Sequence, residues 1–170
     1  MNALISLAPD RGRGSPIVPR APHVRIAPDR DERWPAIVAE LERLFEAHRR
    51  SVRIVDADCG DGALLLHALR HARALGFVAI EGHGIDGVPA LVARARHAAA
   101  KLHDPAIGVD FEVADLADAL AQEAEVPADI VLWHGSEDHL QADASVVRAL
   151  AAAGQVVIDH ALFARVPAQA

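Results

Sequence analysis

The feature that most narrows the folds open to this chain is an alternation of short apolar runs with longer stretches of helical spacing, repeated five times. Trp34 to His48 places Ile37, Leu41, Leu44 and Phe45 at three- and four-residue steps, with Pro35 suited to a first turn, which predicts an amphipathic helix. Val52 to Val55 is rich in β-branched residues and reads as a strand; a turn-rich Asp56-Ala-Asp-Cys-Gly-Asp-Gly62 follows, and Ala63 to Leu75 reads as helix. The pattern continues as strand 77–85, helix 88–102, strand 109–113, helix 116–124, strand 130–133, helix 144–153 and strand 155–158. A right-handed crossover lays each connecting helix on a face of the sheet. The order therefore predicts an α/β, doubly wound, Rossmann-like domain: a mostly parallel five-stranded sheet with helices on both faces. The apolar strand runs imply burial on both faces, and no terminal antiparallel hairpin is expected after the fifth strand.

A chain of 170 residues holds one core of this kind, and 52% apolar against 24% charged residues is a folding composition. The domain is expected over residues 34–170. Residues 1–33 carry Pro at 9, 16, 19, 22 and 28 without either periodicity and read as an irregular Pro/Arg-rich arm. That arm is either a disordered tail, a flap over a bound cofactor, or a contact between copies in a homo-oligomer. The formal charge of -7 offers no electrostatic footprint for a nucleic acid. Cys59 is the single cysteine, so no intrachain disulfide forms, and a reducing, cytoplasmic setting is expected. The apolar stretch from Ala3 to Ala8 is too short for a signal-peptide core, and no run approaches the roughly 20 apolar residues of a membrane span.

In open α/β sheets the ligand lies at the carboxyl ends of the strands, where strand order reverses. Those ends carry Asp56, Asp58 and Asp61, then Asp86, Asp115, the cluster His134 to His139, and Asp159 with His160. Gly60 and Gly62 sit in the first turn, where a missing side chain lets a ligand approach the backbone. A pyrophosphate brought there would meet like charges, whereas a cationic ligand would be attracted.

The segment Asp56-Ala-Asp-Cys-Gly-Asp-Gly62 resembles the first motif of the class I S-adenosylmethionine-dependent methyltransferases, with Asp58 standing at the first motif glycine. Gly84-Ile-Asp86, before the helix VPALVARAR, resembles the second acidic motif, and Glu112-Val-Ala-Asp115-Leu116 the third-strand motif; residues 128–134 and 152–158 resemble the fourth and fifth strands. The resemblance implies S-adenosylmethionine as cofactor and methyl transfer to a small molecule or protein side chain. It implies that Asp56, Asp58, Cys59, Gly60 and Gly62 hold the methionine end, Asp86 the ribose, and Asp115 and Leu116 the adenine, with Trp133 also binding the cofactor. His134 or His139 would take a proton from the acceptor, imidazole being able to titrate near neutral pH.

Each assignment has a structural alternative. Asp56 could cap the turn or helix, Asp86 and Asp115 could be ordinary strand-end acids, and Ser136 or Asp138 could cap the next helix. Cys59 reads as a small buried hydrophobe rather than a nucleophile. His67 and His71 have metal-binding spacing, but with no third ligand indicated they read as a helix face, and no metal is expected. At the level of the whole chain, the alternatives are a non-catalytic methyltransferase-like binding or assembly module and, more weakly, a nucleotide-dependent oxidoreductase.

Overall fold

A computed structural model of the chain describes residues 27–135, 144–159 and 163–165. The elements follow the expected order: α1 (Trp34–Glu46), β1 (Ser51–Ala57), α2 (Ala63–Leu75), β2 (Ala79–Asp86), α3 (Pro89–Ala99), β3 (Ile107–Val113), α4 (Leu116–Glu123), β4 (Ala128–Trp133), α5 (Ala144–Ala153) and β5 (Gly154–Ile158). β1 to β5 are all parallel, in the spatial order β3-β2-β1-β4-β5.

One expectation needs correction. A sixth strand, β6 (Phe163–Arg165), pairs antiparallel with β5, so the sheet does not end at five strands. Three residues are too few to show a two-residue period, which is why the sequence did not reveal it. At the other end, the described part of the arm begins at residue 27. Pro28–Arg30 form a single 3-10 turn, and the chain then enters α1 through Arg33.

α1, α2 and α3 cover one face of the sheet and α4 and α5 the other. Ile37, Leu41 and Leu44 give α1 its buried stripe, and β4 is buried along all six residues. Burial on both faces does not extend to β3, which lies at the sheet edge and buries Phe111 alone. Where the α4–α5 layer leaves β2 uncovered, a polar tie replaces apolar packing. His83 Nδ1 lies 2.7 Å from Glu123 Oε1 at the end of α4, and Arg53 Nη2 lies 2.8 Å from Glu123 Oε2. At the amino ends of the strands, buried Asp129 accepts from the Arg53 backbone N–H at 2.9 Å and from Arg49 Nη2 at 2.8 Å. Among the described residues, no helix is long and apolar enough to cross a membrane.

The two glycines of the first turn have different duties. Gly62, at φ +75°, enters α2, and a Cβ there would lie 2.7 Å from the Phe111 ring and 2.9 Å from the Ala95 Cβ. Gly60, at φ +59°, has nothing within 4 Å of the same point. Gly62→Ala therefore adds a steric clash to left-handed strain and should cost about 2–4 kcal/mol, against about 1–2 kcal/mol for Gly60→Ala. Urea midpoints of the two variants check this; equal losses would show that Phe111 yields freely to a new methyl.

Candidate cofactor-binding site

Strand order reverses at β1: β2 and β3 extend to one side, and the chain then crosses to β4 on the other. Ala57 pairs with Ile85 and with Trp133, so the carboxyl ends of β1, β2 and β4 share one level and their following segments converge there.

The turn after β1 is held from two sides. The Asp58 and Cys59 backbone N–H groups both donate to the Ile85 carbonyl, at 2.8 and 2.9 Å. The Gly60 N–H donates to Asp86 Oδ2 at 2.9 Å and the Val88 N–H to Asp86 Oδ1 at 2.7 Å, so one buried carboxylate ties the glycine turn to the β2–α3 connection. Asp58 has φ +76°, the left-handed region that glycine adopts freely and that Asp enters more readily than most residues. The aspartate in place of the motif glycine thus keeps the conformation of the turn.

Asp56 is next to last in β1, and alternation along the strand turns it with Ile54 toward the α1–α3 layer. It is 2% exposed, and its Oδ1 has no hydrogen-bond partner among the described residues. Burial pushes the carboxyl up to about 7; Arg33 opposes the rise, while Asp58, Asp31 and Asp86 add to it.

Arg33, itself 6% exposed, donates from Nε to Asp31 Oδ1 and from Nη2 to Asp31 Oδ2, both at 2.9 Å. Burial works against its charge, but the bonds to Asp31 and the nearby Asp56 raise its pKa. Burial likewise works against Asp31. Its Arg33 bonds and charge nevertheless hold it below the usual carboxylate range, with His134 adding to the effect from across the site. Asp31 and Arg33 were missed in the sequence because they fall in a stretch without periodicity. The only available signal was an acid and a base two residues apart at the start of α1.

The remaining expected residues divide. His134 follows β4 and is partly buried beside this cluster, within electrostatic reach of Asp31. His139 lies outside the described residues, as do Ser136, Glu137, Asp138 and His160. Asp115 is exposed and caps α4, accepting from the Ala117 and Asp118 N–H groups at 2.9 and 3.4 Å. Leu116 begins α4 and packs with buried Trp133 into the α4–α5 core. Cys59 is buried, and burial with three neighbouring carboxylates pushes its thiol far up, so it is not a nucleophile. His67 and His71 pack against Trp34, with ring centroids 4.2 and 5.3 Å away. Among the described residues there is no group of three or more metal-ligating side chains. A shallow depression of about 520 Å³ lies at the amino ends of the strands, lined by Arg49, Arg53 and Asp129, whose charges are already paired with one another or with neighbours.

No protein-family model matches this sequence, and no curated protein matches it. Solved structures do. Monomeric WbdD, a methyltransferase, superposes with a TM-score of 0.59 at 20% identity, covering 77% of this chain and 31% of WbdD. A Listeria monocytogenes protein described as a class I S-adenosylmethionine-dependent methyltransferase matches at 20% identity over 66% of this chain and 33% of its own, with a TM-score of 0.49. Magnesium protoporphyrin IX methyltransferase from Synechocystis PCC 6803, solved with S-adenosylhomocysteine, matches at 15% identity over 74% and 53%, again at 0.49. The chain spans about a third of the length of WbdD. The likeness to WbdD is one of fold: this is a doubly wound α/β domain that shares the fold of the matched part of WbdD.

The raised carboxyl has a measurable cost. Asp56 ionises in the unfolded chain near the usual 3.8 and in the folded protein near 7. It therefore subtracts nothing from stability below about pH 4, progressively more between about pH 4 and 7, and a constant amount above. Asp56→Asn removes that term, so the variant should gain about 1–4 kcal/mol on the wild type between pH 4 and pH 8, read from urea midpoints. Parallel pH profiles for the two proteins would show that Asp56 ionises as freely folded as unfolded.

Proposed function

We propose that this protein binds S-adenosylmethionine at the carboxyl ends of β1, β2 and β3 and transfers its methyl group to a small molecule or a protein side chain. The observation that carries this reading is the buried Asp56 carboxyl with an unpartnered oxygen, beside a turn that is open above Gly60. The residues present fit such a cofactor. Asp56, Asp58 and Asp61 favour a ligand bearing an ammonium and a sulfonium, and they disfavour a dinucleotide pyrophosphate. Asp86, whose two oxygens accept the Gly60 and Val88 backbone N–H groups, is the acid this reading assigns to the ribose hydroxyls. Asp115 and the Leu116 amide lie at the end of β3, where an adenine would sit.

When bound, the cofactor supplies a methyl group on positively charged sulfur, open to in-line displacement by an acceptor oxygen, nitrogen or carbon. This chain's own contribution is chiefly placement: the turn fixes one end of the ligand and Asp86 its middle. This reading assigns to His134, just after β4, the task of taking the acceptor's proton. The fold's likeness to WbdD supports the same reading. Asp58 is no argument for a non-catalytic module, because it keeps the left-handed conformation of the turn.

Pairing a cation with Asp56 requires the carboxylate, so binding below pH 7 should release a proton. Calorimetric titration should show micromolar affinity at pH 8 and a dissociation constant that rises about tenfold per unit below pH 7. Asp56→Asn should weaken binding about 10- to 100-fold at pH 8 and flatten the pH dependence; Asp86→Ala should weaken it sharply at every pH. Affinity that is absent, or unaffected by either substitution in a folded variant, would overturn the assignment.

A further inference from the structure

We infer that His83 is a clip on the segment running from the end of β3 to the end of α4: charged, its imidazole draws both ends of the segment onto β2, and neutral, it lets the β3 end go. The segment carries Asp115 and Leu116, so the consequence for ligand affinity rests on the cofactor reading above, whereas the clip itself does not.

The His83 ring has a carboxylate at each nitrogen. Nδ1 lies 2.7 Å from Oε1 of buried Glu123, the last residue of α4, and Nε2 lies 3.6 Å from Oε2 of half-exposed Glu112, near the end of β3. The two acids bracket Asp115 and Leu116 in the chain. The apolar anchors of α4, Ala119 and Leu120, belong to the α4–α5 core with Val55 and Val131, so they hold the helix but not the end of β3.

Two such contacts need two donors, and only the charged imidazole has them. A neutral ring keeps one N–H. The short contact to buried Glu123 claims it, and Nε2 then turns a lone pair on the Glu112 carboxylate. The charged neighbours of His83 are Glu123 from α4, Glu112 and its register partner Asp110 from β3, and Arg53 from β1, which also pairs with Glu123 and with Glu81 of β2. The bond to Glu123 raises the His83 pKa above the usual 6.5 against partial burial, with the charges of Glu123, Glu112 and Asp110 adding to it. Because the folded ring holds its proton more tightly than the unfolded one, the clip is complete below about pH 6.5 and is lost as pH rises through the folded value. Arg53 stays charged throughout, so Glu123 keeps a cation and α4 stays docked while the end of β3 slackens.

Hydrogen exchange of the free protein between pH 6 and pH 9 tests the clip. In the wild type, protection of the amides in 112–119, taken relative to those of α2, should fall about 3- to 10-fold across that range. His83→Gln keeps a donor for Glu123 and cannot ionise, so it should show the lower protection at every pH. Glu112→Gln offers the neutral ring an amide donor and should keep the higher protection through pH 9. Calorimetry with S-adenosylhomocysteine reads the link to the ligand: the dissociation constant of His83→Gln should exceed that of the wild type about 3- to 10-fold at pH 6.5 and match it at pH 9, the ligand's own ionisation cancelling in the ratio. Protection that stays level in the wild type, or that falls equally in His83→Gln, would overturn the clip. Dissociation constants that are equal at every pH would overturn the link and leave the clip to the exchange result. Binding to neither folded protein would overturn the cofactor reading and the link with it, and the exchange result would still decide the clip.

Discussion

A carboxyl group taken out of water near the end of the central strand governs this structure. Parallel pairing of β1 with β2 on one side and β4 on the other places Asp56 in the interior, where burial favours its neutral form against the opposing pull of Arg33. Its other near neighbours, Asp58, Asp31 and Asp86, repel the charge further. A stable fold gains nothing from such an arrangement, since an apolar side chain of the same size would pack without the penalty. Its retention makes sense where a cation arrives, and the same geometry leaves one oxygen of Asp56 and one nitrogen of Arg33 unmet.

Around that group, each loop is held by a bond that also shapes the mouth. Asp86 accepts from both the glycine turn and the β2–α3 connection, so the floor beneath Gly60 is set before any ligand arrives. The turn then divides its labour: Gly62 lets α2 settle over the Phe111 ring, Gly60 leaves the space above the backbone clear, and Asp58 carries the left-handed step between them and the strand. Preorganisation of this sort lowers what binding must spend on ordering the protein.

Much of this was legible in the sequence, and the reasons for the rest are physical. Helix and strand periodicities gave the order of elements because the helices are amphipathic and β4 is buried throughout; Asp56, Asp58, Gly60 and Asp86 could be singled out as candidates because they sit at strand ends. β6 was not found, being too short for a period to show. Arg33 and Asp31 were not found because their partnership with the site depends on how α1 is docked, a tertiary fact with no sequence spacing of its own. Asp115 and Trp133 occupy strand-end positions as expected, but one caps α4 and the other packs into the α4–α5 core, uses that a motif alone does not distinguish.

The most direct measurement is a carbon-13 NMR titration of the Asp56 side-chain carboxyl, with and without S-adenosylhomocysteine. The account predicts a midpoint near pH 7 in the free protein and one lower by at least a unit when the ligand's ammonium is paired with it. A midpoint near that of an ordinary aspartate in the free protein, or one that saturating ligand leaves unmoved, would contradict it.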